Sequence, residues 1–351
     1  MNIFIDTNIY LDFFDFSNED LEELRKIDVL IKSRKIQLLV TDQVISEFRR
    51  NRDSKIANTI IEFRKKDFPP FPQLIKGYDE YSDLISGKKD YEKAKNQLLS
   101  RIEEDMRARN LVADQVIEQI FSSAELIATT SLAFSNARVR RDVGNPPGKR
   151  TDPLGDEINW ELLLARVRDS PFVNEYLDSN YNLHLISYDQ DWESGFRDQT
   201  AHQFLRDEWT SKVGGEMFLY KRISSFLQEH FPQILLASEL EKQLLINDLA
   251  GSGTFAQTHG TIRTLSKIDS FDVNDANDLI DAYINNSQVN WIIADDDVCD
   301  FLIGLLENHV NEIDEEKREA LLTFIETETS DRHWKDRRAQ LLTLLKTDGA
   351  L

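Results

Sequence analysis

The stretch that decides the fold is Met1-Asn-Ile-Phe-Ile-Asp-Thr-Asn-Ile-Tyr-Leu-Asp12, at the start of the chain. Its apolar run, Ile3-Phe-Ile5, ends at Asp6, and two small polar residues follow before Ile9 resumes the apolar pattern. This pattern predicts a buried strand whose carboxyl end delivers an acid into a crevice. Because a divalent cation needs several hard oxygen ligands, a functional Asp6 requires further carboxylates at the ends of other elements.

The composition is that of an ordinary folded protein, with 351 residues, 40% of them hydrophobic and 30% charged. This length predicts two modules, or one domain enlarged by insertions. No apolar run approaches the ~20 residues of a membrane span, and the start lacks the pattern of a signal peptide. The single cysteine, Cys299, excludes an internal disulfide and a thiolate zinc cluster. We therefore expect a cytoplasmic protein without membrane contact.

The net charge of −21 is unusual for a protein that binds nucleic acid, since Lys and Arg supply much of that affinity. Net charge is an average over all faces of a molecule, however. A basic strip beside an acidic metal site would still permit binding, because the metal neutralises part of the acidic cluster.

The first 60 residues show the alternation of an α/β fold. Apolar spacing predicts a helix over Leu21–Ser33 and a second buried strand over Ile36–Val40, after which Thr41 or Asp42 caps another helix. That helix carries Glu47 near the edge of its core face. Strands that alternate with helices in this way are typical of a parallel sheet.

Two further acids lie at the ends of predicted elements. Asp156 lies at the start of a helix after a Pro/Gly-rich loop, and Asp189 follows the predicted strand Leu183–Ile186. Between about residues 62 and 135, a long polar stretch predicts a helical hairpin inserted into the α/β core as an exposed arm, more than a segment of sheet.

Four segments then form an ordered set: Phe4-Ile-Asp6-Thr-Asn8, Val44-Ile-Ser-Glu47-Phe, Gly155-Asp156-Glu157-Ile-Asn-Trp160 and Ile186-Ser-Tyr-Asp189-Gln-Asp191-Trp. Together they resemble the PIN-domain nucleases, in particular the larger bacterial members with a long helical insertion between the second and third acidic motifs. The resemblance covers about residues 1–200.

This resemblance implies a three-layer α/β/α domain with a central parallel sheet. It also implies an acidic cluster that holds Mg²⁺ or Mn²⁺ and cleaves phosphodiester bonds, usually in RNA and in some members in structured DNA. Carried across by motif, the acids are Asp6, Glu47, Asp156 and Asp189, with Asn8 as their polar companion. Asp191 remains an alternative fourth ligand: on an extended segment both acids would face one side, whereas on a turn only one would.

Each acid also has a bland interpretation. Asp6, Asp156 and Asp189 could simply cap turns or helices, and Glu47 could be a surface residue. Asp152 is a reserve acid and Glu161 is expected on the surface. Phosphate contacts are expected from basic residues that flank the second and third acids, although a solvated surface explains any one of them equally well. They are Arg49, Arg50, Arg52, Lys55, Arg138, Arg140, Arg141, Lys149 and Arg150.

Residues 201–351 form the expected C-terminal module, mostly helical and divided again near residue 261. Patterns predict helices over Phe218–Phe226, Ile234–Leu249, Asp272–Ile284 and Val298–Asn308, and a short strand over Val289–Ile293. Asp295-Asp-Asp297 is interpreted as a helix cap. Regulation, through a protein partner or a homo-oligomer, is the expected role.

The sequence hypothesis is a metal-dependent endonuclease, most readily an endoribonuclease, and by family analogy a toxin or phage-defence effector. One alternative is a structure-specific DNA nuclease. Another is a non-catalytic interaction module whose acids are vestigial.

Overall fold

The structure is a computed structural model. It describes residues 1–15, 20–68, 70–148, 153–168, 181–195, 200–327 and 334–346. The chain divides into two compact units, Met1–Leu235 and Leu236–Leu351. None of the helices in the described ranges is both long enough and apolar enough to cross a bilayer.

A five-stranded parallel sheet forms the centre of the first unit. Its strands are β1 (Asn2–Ile5), β2 (Gln37–Thr41), β3 (Glu125–Ile127), β4 (Leu183–Ile186) and β5 (Met217–Tyr220). They lie in the order β3-β2-β1-β4-β5, so that β1 has Leu39 beside Phe4 on one side and Leu185 on the other. The predicted strands β1, β2 and β4 are confirmed, and their near-continuous apolar runs are typical of strands covered on both faces.

Helices cover this sheet. In the described part of the first unit they are α1 (Thr7–Asp12), α2 (Leu21–Lys32), α3 (Asp42–Lys65), α4 (Tyr81–Ala108), α5 (Val112–Ser123), α6 (Ser131–Val143), α7 (Gly155–Arg168), α8 (Gln203–Val213) and α9 (Ile223–His230), with 3₁₀ turns at Gln73–Gly77 and Gln190–Trp192. One group packs α2 against α5 and α9, and another packs α7 against α3, α6 and α8. With the sheet, they form the predicted α/β/α domain.

Polar residues at the strand ends start the next helices. The Asp6 carboxylate accepts a hydrogen bond from the Thr7 N–H at the start of α1. The Thr41 hydroxyl accepts one from the Val44 N–H at the start of α3, at 3.1 Å. The same residues therefore cap helices and stand at the carboxyl edge of the sheet, where ligands collect in α/β folds.

The predicted insertion at 62–135 contains the expected helices, and α4 is an exposed arm that buries only Lys95 and Leu99. It is not wholly helical, however, because it also supplies β3, an edge strand paired with β2. A strand of three residues is too short to show a periodic pattern, which is why the sequence did not reveal it.

The first unit also extends further than residue 200. Met217–Tyr220 is strand β5 beside β4, and α9 begins only at Ile223, so the predicted helix over Phe218–Phe226 is wrong in its first half. A short apolar run fits a buried strand and a buried helix equally well, and here pairing with β4 decides the outcome.

The second unit is helical throughout its described residues. Its helices are α10 (Ala237–Ala250), α11 (Phe255–Leu265), α12 (Val273–Asn285), α13 (Ser287–Trp291), α14 (Asp296–His309), α15 (Glu315–Thr327) and α16 (Lys335–Lys346). The predicted helices matching α12 and α14 are confirmed. The predicted strand over Val289–Ile293 is wrong, because Asn286 accepts a hydrogen bond from the Gln288 N–H and starts α13.

Candidate functional site

Asp6 lies at the end of the central strand and is only 6% exposed. Its Oδ1 accepts a hydrogen bond from the Thr7 N–H at 2.7 Å, and its Oδ2 accepts one from the Ser187 hydroxyl at 2.6 Å. Burial raises the pKa of Asp6 to about 6 against these two hydrogen bonds, and the charges of Glu47 and Asp189 raise it further. An acid this deeply buried needs a partner that offsets its charge.

Ser187 connects the first acid to the fourth. Besides donating to Asp6, its hydroxyl accepts hydrogen bonds from the Asp189 N–H at 3.0 Å and from the Asn8 side-chain amide at 3.4 Å. One donor and two acceptor sites are the full capacity of a hydroxyl. The sequence contains this residue within the fourth motif, and a lone hydroxyl between a strand and an acid was the available signal for its role.

Glu47 lies half-buried on α3. Burial raises its pKa, while Arg50, Gln43 and Thr7 lower it and Asp189 raises it again. The first residue of α7, Gly155, lies against this carboxylate: a methyl group there would lie 3.2 Å from Glu47 Oε2. The small residue lets the start of α7 approach α3.

Asp156 is the most perturbed of the acids. It occupies the first turn of α7, and burial raises its pKa to about 8. Asp6 adds the next largest effect, followed by Asp189, Glu47 and then Asp191. Residues that are far apart in sequence therefore share one electrostatic environment, as expected where the carboxyl ends of parallel strands meet.

The fourth motif is a turn. Asp189 precedes the 3₁₀ turn Gln190–Trp192, and its carboxylate accepts a hydrogen bond from the Asp191 N–H at 3.0 Å. A turn does not place both carboxylates on one side, and Asp189 affects Asp156 more than Asp191 does. This geometry supports Asp189 as the fourth candidate ligand.

Buried contacts hold α7 beside the sheet. The ring of Trp160 lies 6.1 Å from that of Trp192 and 5.6 Å from that of Trp209, measured between centroids. The Thr41 hydroxyl donates a hydrogen bond to Asn159 Oδ1 at 2.6 Å. These contacts fix the helix that carries Asp156 relative to the end of β2.

Comparison with known families decides the relationship. A profile described as the PIN domain matches residues 3–192, more than half of the chain. The chain belongs to the PIN-domain family. No curated protein and no solved structure matched the chain in the corresponding comparisons. PIN domains are generally nucleases that use divalent metal ions, so the implied substrate of this one is nucleic acid.

The acids of this PIN domain suit a hard cation by chemistry. Carboxylates are the oxygen donors that Mg²⁺ and Mn²⁺ prefer. In addition, Asn8 Oδ1 is buried and accepts no hydrogen bond from the described residues. Within the described ranges, no three acidic, histidine or cysteine side chains lie close enough together to hold a metal as they stand. The acids are nevertheless near enough to one another that, in addition to burial, the charges of Glu47 and Asp189 raise the pKa of both Asp6 and Asp156.

The predicted phosphate contacts fall into two groups. Three arginines are committed to ion pairs and are not available: Arg52 is buried against Asp114, Arg140 against Glu161 and Glu208, and Arg141 pairs with the buried Glu157. The sequence did not reveal these acidic partners, because the acids lie on other helices than the arginines they pair with.

The arginines of the second group are exposed on α3 and α6. Arg50 is exposed and lies near enough to Glu47 to lower its pKa. Arg49 is exposed beside Glu118, at 3.6 Å, and Arg138 is exposed on α6. Lys55 instead pairs with Asp12 and Asp15 on α1 and the turn after it.

Three candidates, Lys149, Arg150 and the reserve acid Asp152, lie outside the described residues. The prediction that Glu161 lies on the surface is wrong. Its carboxylate is buried in an ion pair with Arg140. The loop before α7 also packs closely: Gly148 has φ +94°, and a methyl group on it would meet the Glu157 carboxylate at 2.5 Å. Only glycine suits that position.

Proposed function

We propose that this PIN-domain protein is a metal-dependent endonuclease that hydrolyses phosphodiester bonds, with RNA as its favoured substrate. One observation supports this most strongly. The pKa values of Asp6, Glu47 and Asp156 are all raised by burial, and the charge of Asp189 contributes to each of these shifts. None of these four acids forms a close ion pair with a described residue. Elsewhere in the unit, buried acids such as Asp114 are paired with arginine. The unpaired set is therefore suited to an external cation.

In this proposal Asp6, Glu47, Asp156 and Asp189 hold Mg²⁺ or Mn²⁺, and Asp191 is the alternative to Asp189. A bound cation of this kind lowers the pKa of water and offsets charge on the phosphoryl oxygens. Ser187 holds Asp6 and the Asp189 backbone in place, and Asn8 extends the same hydrogen-bond network.

Substrate positioning falls to the exposed arginines. Arg50 lies beside Glu47, and Arg49 and Arg138 offer further contacts with phosphate. Because the chain carries a net charge of −21, its non-specific attraction to a phosphate backbone is weak. We therefore expect cleavage to depend strongly on these few cations.

The preference for RNA is supported by the family resemblance and not by any single residue. The test is to incubate purified protein with labelled RNA, single-stranded DNA and double-stranded DNA, each with Mn²⁺, Mg²⁺ or EDTA. We expect metal-dependent cleavage of RNA, and at least about a hundredfold loss in Asp6→Asn and Asp156→Asn. Glu62→Gln, which changes an exposed acid on α3, is the matched control and should retain full activity.

Each other outcome has a defined meaning. Preferred cleavage of structured DNA would replace RNA as the substrate but keep the site. Absence of cleavage on every substrate, or cleavage that the two aspartate variants leave unchanged, would reject the enzyme in favour of an interaction module.

A toxin or phage-defence role rests on family analogy alone. It predicts that expression in a bacterial host arrests growth and that Asp6→Asn relieves the arrest. Equal growth inhibition by both proteins would contradict that role.

A further inference from the structure

A groove of about 770 Å³ opens on the second unit between the end of α11, the turn that follows it, and α14. This volume is within the range of ligand-binding clefts. Its floor is apolar and is built from Leu265, Ile268, Phe271, Phe301 and Leu305. The rings of Phe271 and Phe301 meet edge to face, 5.9 Å apart. Both are only partly buried against the core, so apolar surface remains open in the groove.

The rim of the groove is acidic. It carries Asp269, Asp297, Asp300 and Glu312, and its described lining contains no lysine or arginine. The surrounding sequence has the same sign: residues 236–351 contain 23 acidic and 10 basic residues, a net charge of −13. The lining also includes His309, whose Nδ1 lies 3.6 Å from the Glu312 carboxylate. A phosphate backbone would therefore find no lysine or arginine in this groove.

Two of the rim acids are held in position from outside the lining. Asp297 hydrogen-bonds to His259 Nδ1 at 2.9 Å, and Asp300 accepts a hydrogen bond from Arg337 Nε at 2.8 Å. Exposed pairs of this kind are weak, so a cation of a partner can compete for the same carboxylates. Asp269 has no ion-pair partner among the described residues.

Gly304 supplies an independent observation. It lies in the interior of α14 and lines the groove, although glycine destabilises a helix interior relative to alanine. A methyl group at this position would meet nothing within 4 Å, so no contact within the unit requires glycine. Its absence of a side chain keeps the groove open and lets another molecule approach the helix backbone.

We propose that this groove binds an amphipathic, lysine- or arginine-bearing helix of a partner protein. Apolar side chains on one face of that helix cover the Phe271–Phe301 floor, and its flanking cations meet the carboxylates of the rim. Helices recognise grooves of this composition through apolar anchors at positions i, i+3, i+4 and i+7. The proposal does not depend on the nuclease assignment, because all its residues lie in the second unit.

The test uses the full-length protein and a fluorescent model helix with leucine on one face and lysine on the other. Binding is followed by fluorescence anisotropy at low and moderate salt. We expect saturable binding that weakens with salt. It should weaken at least tenfold in Gly304→Leu, which fills the groove, and in Asp269→Lys, which reverses a rim charge.

Gly260→Leu is the matched control: Gly260 is exposed on α11, does not line the groove, and has equally open space around it. It should bind as the wild type does. A peptide of equal charge with glutamine in place of leucine, and one with glutamate in place of lysine, should both bind at least tenfold more weakly.

Thermal unfolding establishes whether each variant is folded. If Gly304→Leu does not fold, the binding affinity of the exposed Asp269→Lys variant tests the proposal instead. Equal affinity of wild type and a folded groove variant would overturn the proposal. So would equal binding of the glutamine peptide, which would indicate attraction to net charge alone, or saturable binding of a labelled RNA that Asp269→Lys alters.

Discussion

The acids at the edge of the sheet and the acids around the groove differ in burial. Asp6 is 6% exposed and Asp156 is partly buried, whereas the Asp300 side chain at the groove is 61% exposed. Burying a charged carboxylate costs desolvation free energy, whereas a carboxylate at the surface stays hydrated and has no such cost. Buried acids therefore persist only with a strong partner or a function, while exposed acids can remain available for recognition. One chain thus uses aspartate in two chemically different ways.

The largest expected difference concerns the ion pairs of the two units. The Arg52–Asp114 pair has side-chain exposures of 4% and 6%, whereas the Arg337–Asp300 pair has 30% and 61%. Asp114→Ala removes the buried partner of Arg52 and leaves it with the exposed Asp53 as its remaining acid, so it should lower the free energy of unfolding by about 3 kcal/mol. Asp300→Ala should lower it by less than about 1 kcal/mol. Urea denaturation of both variants measures the contrast, and equal losses would show that burial does not separate the pairs.

A smaller effect is expected at Ser187, which links Asp6 to the backbone of Asp189. Ser187→Ala leaves Asp6 Oδ2 without its donor, so we expect a loss of about 1–2 kcal/mol in transition-state stabilisation, or roughly fivefold to thirtyfold in cleavage rate. The metal concentration needed for half-maximal activity should rise as well, because the ligand is less fixed. Ser100→Ala, on the exposed side of α4, is the control. An unchanged metal requirement would argue against a positioning role.

The smallest expected effect is a pH dependence of stability in the metal-free protein. The pKa of Asp156 is raised to about 8 in the folded state, whereas in an unfolded chain an aspartate has a pKa of about 3.9. Between roughly pH 4 and 8 the folded protein therefore retains a proton that the unfolded chain loses, so stability falls as the pH rises through that window.

Asp156→Asn removes this dependence. At pH 8, in EDTA, we expect the variant to be more stable than the wild type by at least about 1 kcal/mol, with little difference at pH 4. Asp269→Asn, at the groove, should instead follow the wild-type profile. Thermal unfolding across this pH range measures both. Parallel curves for wild type and Asp156→Asn would contradict the proposed crowding of acids.

Much of the fold and of the candidate site follows from local sequence signals. The apolar runs of β1, β2 and β4 predict buried strands, and Thr41 and Asp20 start helices by accepting hydrogen bonds from nearby N–H groups. These signals act over a few residues, so they are visible without the fold. The candidate acids also emerged in this way, because Asp6 and Asp189 follow predicted strands, and Glu47 and Asp156 lie near the starts of predicted helices.

What the sequence by itself determined is therefore the alternation of strands and helices, with a candidate set of acids at strand ends and near the starts of helices. Only the tertiary structure decided which charges are compensated. Arg52 and Arg140 resemble surface cations in the sequence, but in the fold they are buried in ion pairs with Asp114 and Glu161. Asp156, in contrast, lies near acids from three other segments. The edge strands β3 and β5 were likewise decided by pairing with β2 and β4. Burial and pairing depend on residues distant in the chain, and local periodicity contains no information about those neighbours.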